Sequence, residues 1–269
     1  MTALKKWIFS LWMVLNCSTL FGQAHFKMNL FGETFEQIVL DGQAAFINQS
    51  TNEVISPEEY FLQTNDTTSL LYIFPADQWD TLKVNPYRGL PLEYPFKLEF
   101  FETDFAPPIE KPMVITSHFG KRKNRAHYGI DIDLETGDKV FSILPGKVRF
   151  VGYSRGHGHT VVVRHYNGLE TVYAHLSRYA VKVNDVVSKG QVLGLGGATG
   201  NARGSHLHLE VRYNGRCINP EYLFDFASKP IIRSDTLLVT RTWVNPQHHS
   251  SYRESNVEIV TEVEIGLED

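Results

Sequence analysis

The chain has 269 residues, enough for one large domain or two small ones. It is 42% hydrophobic and 21% charged, ordinary for a globular protein, with a formal net charge of -4 at pH 7. That balance argues against a nucleic-acid partner, which would need a basic face.

Lys5 and Lys6 precede an apolar run from Trp7 to Phe21, and Gly22-Gln23-Ala24 puts small residues at a cleavage position. Residues 1–24 are therefore expected to be a signal peptide, cleaved after Ala24 within two residues. The run is too short and too interrupted for a membrane span, so no transmembrane span is expected in the mature chain. Lipid anchoring at Cys17 is the lesser alternative, because Asn16 stands where a small residue is wanted. Loss of the leader removes two lysines and no acids, taking the formal charge to about -6. It leaves Cys217 as the remaining cysteine, with no internal disulfide. Export without disulfides fits a bacterial periplasm or cell envelope.

Residues 25–108 read as a β-rich N-terminal region ending in an extended arm. Strands are expected over 35–40, 44–48 and 69–74, with a short helix opened by Ser56-Pro57-Glu58-Glu59 and ending near Gln63. From Pro75 to Pro108 prolines and aromatics alternate, predicting an extended arm with irregular pairing whose aromatics lie against the next domain. No residue set in this region looks catalytic.

Residues 109–228 change in texture. Strands are expected over 130–134, 139–144, 147–152, 160–166, 169–175, 191–195 and 207–213. Asn167-Gly168 and Asn214-Gly215 mark two-residue hairpins, and Asn219-Pro220-Glu221 opens one short helix. Antiparallel strands at this density predict a mostly β fold, a compact antiparallel β-sandwich or open barrel. Residues 229–269 form a C-terminal tail. Its alternating Val257, Ile259, Val263 and Ile265 suggest a strand, with Leu237–Val244 as a partner.

Chemistry concentrates in the 109–228 domain. In Gly204-Ser-His-Leu-His-Leu-Glu-Val-Arg-Tyr213, Leu207, Leu209 and Val211 alternate with His206, His208, Glu210 and Arg212. On a strand, His206 and His208 share one face. A second cluster is His127-Tyr-Gly-Ile-Asp131. On a straight strand its ends stand about 13 Å apart at roughly 3.3 Å per residue. Ligands on one zinc lie about 3.3 Å from each other. A shared metal therefore requires a bend, expected at Gly129. His175, in Tyr173-Ala-His-Leu-Ser177, ends a hairpin strand. Three ligands of N, N and O type would leave a fourth position for water, the pattern of catalytic zinc.

Taken in order, Ser117-His-Phe-Gly120, His127-Tyr-Gly-Ile-Asp131, Tyr173-Ala-His-Leu176, Gly196-Gly-Ala-Thr-Gly200 and His206-Leu-His208 resemble the lysostaphin/LytM-type zinc metallopeptidases. The likeness runs from Met113 to Pro220. It implies a compact β-sheet fold with a narrow groove, one zinc per chain, and peptidoglycan cross-link peptides as substrate. By position it implies His127, Asp131 and His208 as zinc ligands and His175 with His206 as the catalytic pair. The chain departs from the pattern in three ways. Arg203 replaces a more usual Thr, His157 and His159 occupy a Gly-rich loop, and residues 121–126 hold no Tyr to bind an oxyanion. His165 reads as structural, and His118, His248 and His249 carry no assigned role.

These readings converge on a secreted zinc metalloendopeptidase. Two other classes share parts of the pattern. One is a non-catalytic peptidoglycan-binding regulator of other cell-wall hydrolases. The other is an iron(II) oxygenase, since two histidines and a carboxylate also suit that metal.

Overall fold

Alternation of apolar and polar side chains decides which way each strand faces, and it is cleanest over His206–Tyr213 (β17), where Leu207, Leu209 and Val211 are fully buried. The structure, a computed structural model, describes residues 26–30, 33–40, 43–48, 54–55, 79–100, 105–165, 167–226 and 231–252. Backbone contacts divide the chain into two units at Asp66/Thr67.

The first unit holds an antiparallel meander of β1 (Phe26–Leu30), β2 (Glu33–Leu40), β3 (Gln43–Asn48) and β4 (Val54–Ile55). The expected strands at 35–40 and 44–48 are β2 and β3. The strand at 69–74 and the helix at 56–63 lie outside the described residues.

In the second unit the arm contributes, among the described residues, β5 (Phe96–Glu99). Then follow β6 (Ile115–Ser117), β7 (Gly120–Lys121), β8 (Ala126–His127), β9 (Ile130–Asp133), β10 (Lys139–Phe141), β11 (Gly146–Ser154), β12 (Gly158–Arg164) and β13 (Leu169–Leu176). Next come β14 (Arg178–Tyr179), β15 (Val186–Val187), β16 (Val192–Leu195), β17 and β18 (Arg216–Ile218). Helix α1 (Pro220–Leu223) is capped by Asn219 with proline at its first position, as its sequence predicts. Short strands β19 (Phe224–Asp225), β20 (Ile231–Ile232) and β21 (Thr236–Val239) complete the unit.

An eight-stranded sheet runs in the order β15-β11-β12-β13-β17-β9-β6, with β18 on β17, and its printed pairings are antiparallel. A three-stranded sheet, β10-β16-β14, accompanies it. Val140 and Leu193 from the small sheet share one core with Ile130, Ile132, Val161, Val163, Leu207 and Leu209 from the large one. The fold is thus the antiparallel β architecture expected.

Local differences have physical causes. Asn214-Gly215 is a two-residue turn with both residues at positive φ, joining Tyr213 to Arg216. At Asn167-Gly168 the strands instead end at Arg164 and resume at Leu169, with Gly168 at positive φ donating to the His165 carbonyl. The Asn167 side-chain oxygen accepts from the Leu169 amide where the second strand resumes. The expected partner of Leu237–Val244 was the strand at 257–265, which lies outside the described residues. In the structure β21 pairs antiparallel with β5 of the arm.

The arm serves both faces of the sheet: Leu98, Phe100 and Phe105 pack into the main core, while residues 80–87 cover the opposite face. Beneath residues 80–87 lie Arg149, Arg164, Glu170 and Arg212, all buried. Arg149 and Arg164 bond Glu170, and the carbonyls of Asp80, Lys83 and Val84 accept the remaining guanidinium protons of Arg149 and Arg212. Tyr87 lies 4.9 Å from Arg164 and 5.3 Å from Arg149, ring centroid to guanidinium.

The chain bends at Gly129, where sequence places the turn. The reason is close approach: a Cβ there would stand 2.3 Å from the Leu209 carbonyl oxygen and 2.9 Å from Glu210 Cγ. Gly129→Ala must push β8–β9 away from β17, and overpacking of this kind costs about 1–3 kcal/mol. Urea denaturation of the metal-free protein should show that loss; an unchanged midpoint would contradict the packing.

Candidate metal centre

Antiparallel register places Asp131 of β9 directly opposite His208 of β17, and His208 opposite Ala174 of β13. The small Ala174 side chain leaves room on that face for an imidazole. The bend at Gly129 carries His127 over the same spot. His127 Nε2 stands 3.0 Å from Asp131 Oδ1 and 3.0 Å from His208 Nδ1, and His208 Nδ1 is 2.8 Å from Asp131 Oδ1. The triangle matches the spacing that donors on one zinc require. All three residues are buried.

Each donor is oriented from behind. His127 Nδ1 donates to the His118 carbonyl at 2.7 Å, which leaves Nε2 bare. His208 Nε2 donates to Glu210 Oε1 at 3.0 Å. Asp131 Oδ2 accepts from Arg122 at 2.6 Å, so Oδ1 alone faces the histidines. Three lone pairs then point at one another, which is stable only with a cation or a proton between them. The donor set therefore fits a divalent metal, with the hydrogen-bonded backing typical of such ligands.

Electrostatics agree. Burial favours a neutral His208, but hydrogen bonds to Asp131 and Glu210 outweigh it and push the ring up to about 9. Burial would raise Asp131, yet the hydrogen bonds from His127 and His208 hold its carboxyl well below the usual range. Burial pulls His127 down against the pull of Asp131.

His175 and His206 stand beside this cluster, their ring centroids 4.7 Å apart. His206 Nε2 lies 3.7 Å from Asp131 Oδ1. His206 Nδ1 donates to the Gly204 carbonyl at 2.9 Å and His175 Nδ1 to that of Thr199 at 2.7 Å. Both Nε2 atoms are left free for chemistry. Strict alternation would send His175 to the core side with Tyr173, but its φ of 62° turns the ring back toward His206. Its amide bonds the His157 carbonyl at 2.8 Å. Burial, and then the charge on His208, push His175 down to about 4. The structure thus brings together all five residues picked from sequence: His127, Asp131, His208, His175 and His206.

Sequence reasoning left other contributors without a role. Glu210 sits two residues after His208 on the same face, a spacing visible in the sequence, and backs the ligand ring. His157 is no free loop residue, since its Nε2 bonds Glu210 Oε1 at 2.9 Å. His159 bonds the Tyr179 hydroxyl at 2.6 Å. His165 is buried between the Pro145 carbonyl and Thr171, each at 2.7 Å, a structural role as expected. The tail also reaches the site. His118 N donates to the Ser251 carbonyl and Lys121 N to that of His249, clamping the loop that carries His127.

Below about pH 9 the metal-free His208 ring holds a proton on both nitrogens, whereas a metal needs Nδ1 bare. Uptake of a divalent metal should therefore release one proton, and affinity should tighten roughly tenfold per pH unit between 6 and 8. Calorimetric zinc titration in buffers of different ionisation heat measures both; a pH-independent affinity contradicts the assignment of that proton.

Residues 125–220 match the family model Peptidase family M23. The chain is 41% identical over 112 residues to the DD-carboxypeptidase/endopeptidase Mpg of Neisseria meningitidis, covering 39% of this chain and 26% of that protein. It is 38% identical over 90 residues to lysostaphin of Staphylococcus staphylolyticus, covering 33% and 19%. Among solved structures, the catalytic domain of the prophage-encoded M23 protein EnpA from Enterococcus faecalis is 36% identical, with 44% of this chain and 95% of that domain covered and a TM-score of 0.41. The matched segment spans about a quarter of the length of Mpg and less of lysostaphin. Through residues 125–220, which hold all five picked residues and their ordered motifs, the chain belongs to Peptidase family M23 as a domain of the lysostaphin/LytM type.

Proposed function

We propose that the protein is an exported zinc metalloendopeptidase that hydrolyses the peptide cross-links of bacterial peptidoglycan. The observation that carries this reading is the triangle of His127 Nε2, Asp131 Oδ1 and His208 Nδ1, flanked by two further imidazoles with free Nε2 atoms. Its relatives named DD-endopeptidase and DD-carboxypeptidase/endopeptidase support the substrate class.

His127, Asp131 and His208 would hold one zinc. The zinc, when bound, supplies Lewis acidity for the scissile carbonyl and lowers the pKa of a water to about 7. His175 and His206 do the proton work. One bare Nε2 accepts the proton of the attacking water, and the other ring, protonated on both nitrogens, donates from Nε2 to the oxygen on which negative charge develops. Their Nδ1–H groups stay hydrogen-bonded to the Thr199 and Gly204 carbonyls throughout, so neither ring can turn its free nitrogen away. Asp131 is held as an anion by the hydrogen bonds from His127 and His208, and Arg122 fixes its second oxygen at 2.6 Å. Residues 1–24, read as a signal peptide, would take the protein to the envelope where this substrate lies.

Purified protein incubated with cell-wall sacculi, followed by mass spectrometry of released peptides, tests the activity. Cleaved cross-links are expected; binding to sacculi with no product identifies a non-catalytic binder. His208→Ala should lose both zinc and activity, while His206→Ala should keep zinc and lose activity by at least a hundredfold. Equal zinc loss in both variants rejects the division between ligand and catalyst.

A further inference from the structure

On the sheet face that carries His208, beyond Glu210, the protein has a half-open groove of about 670 Å3. One end is formed by Tyr128, next in sequence to His127, and by His157, which bonds Glu210. Glu210 and Arg212 also line it, a buried pair with Arg212 Nε 2.7 Å from Glu210 Oε2. The walls come from the arm, with Asn85 and Arg88, and from the tail, with Arg241. Arg216, in β18, faces the same space.

The charge here is unusual for a chain with net charge -4. Arg88, Arg216 and Arg241 have no carboxylate partner among the described residues, and Arg241 lies over the Tyr94 ring at 5.4 Å. Asn85 donates to the Gly215 carbonyl at 3.0 Å and leaves its own Oδ1 buried without a partner. Three guanidiniums in one concavity repel each other, and their planar forks match carboxylates. Asn85, Arg88 and Arg241 lie outside residues 125–220, so this chain's arm and tail complete a groove whose other side is the matched domain.

We propose that this groove is a binding subsite for the free carboxylates of an anionic peptide whose chain passes on to the metal centre. The proposal deepens the peptidase reading and rests on it for the bond cleaved. Peptide binding itself needs no metal. Arg216 and Arg241 pair with the carboxylates and set specificity; they take no part in bond cleavage.

The test uses the mature chain and two synthetic peptides of one sequence, one with two free carboxylates and one with both as carboxamides. Binding is measured by isothermal titration on the metal-free protein, at low and moderate salt. The acidic peptide should bind about tenfold more tightly, a preference lost in the Arg216→Gln/Arg241→Gln variant while amide-peptide affinity stays unchanged. Arg88→Gln alone, on an exposed side chain, should reduce the preference in part. Equal affinity for the two peptides, equal weakening of both in the double variant, or no binding of either overturns the subsite. Failure of the zinc-loaded protein to cleave any peptide, with the acid preference intact, would instead refute the peptidase reading and leave the groove standing.

Discussion

Three electron pairs that would repel one another are held within 3.0 Å by strand register and by one bend. Asp131 and His208 face each other because β9 and β17 pair antiparallel with those residues opposite. His127 joins them because nothing larger than glycine fits at position 129 against the Leu209 carbonyl. The sheet is thus assembled around a spot that is favourable only when positive charge fills it. A proton on His208 can do this, and so can a divalent metal. Exchange between those two occupants links the acid–base state of the site to its chemistry.

Much of this was legible before any coordinates. Alternation in Leu207-His-Leu-Glu-Val211 fixed which face carries chemistry, and the four-residue step from His127 to Asp131 required a bend if both hold one metal, expected at Gly129. Five strands of the large sheet, β9, β11, β12, β13 and β17, were found to within about two residues, whereas β6, β15 and β18, of two or three residues each, are too short to show a period. What escaped depends on contacts between distant segments. The role of Glu210 needed His157, 53 residues away, to show that one carboxylate serves two rings. The tail's hold on the His127 loop joins residues about 130 apart through backbone amides, which no side-chain pattern announces.

His175 is instructive for a different reason. Its residue type and position at a strand end pointed to the site, yet period-two logic would have aimed it into the core beside Tyr173. The positive φ reverses that direction. Such a conformation costs of order 1 kcal/mol in a non-glycine residue, and here the bonds to Thr199 and to the His157 carbonyl hold it in place. Sequence patterns name a residue more readily than they name the side of a sheet on which it ends.

The arm has a consequence for how the protein can be dissected. Arg149 is wholly buried, and carbonyls of residues 80–84 complete its hydrogen bonds. A fragment cut to the boundaries of the matched family would leave behind both Arg149's capping oxygens and β21, the strand that ties the arm down. Its sheet would then present bare guanidinium to solvent where the intact chain has a sealed surface. Grafting or shortening this protein therefore means carrying residues 79–100 and 231–252 along as part of the folded unit.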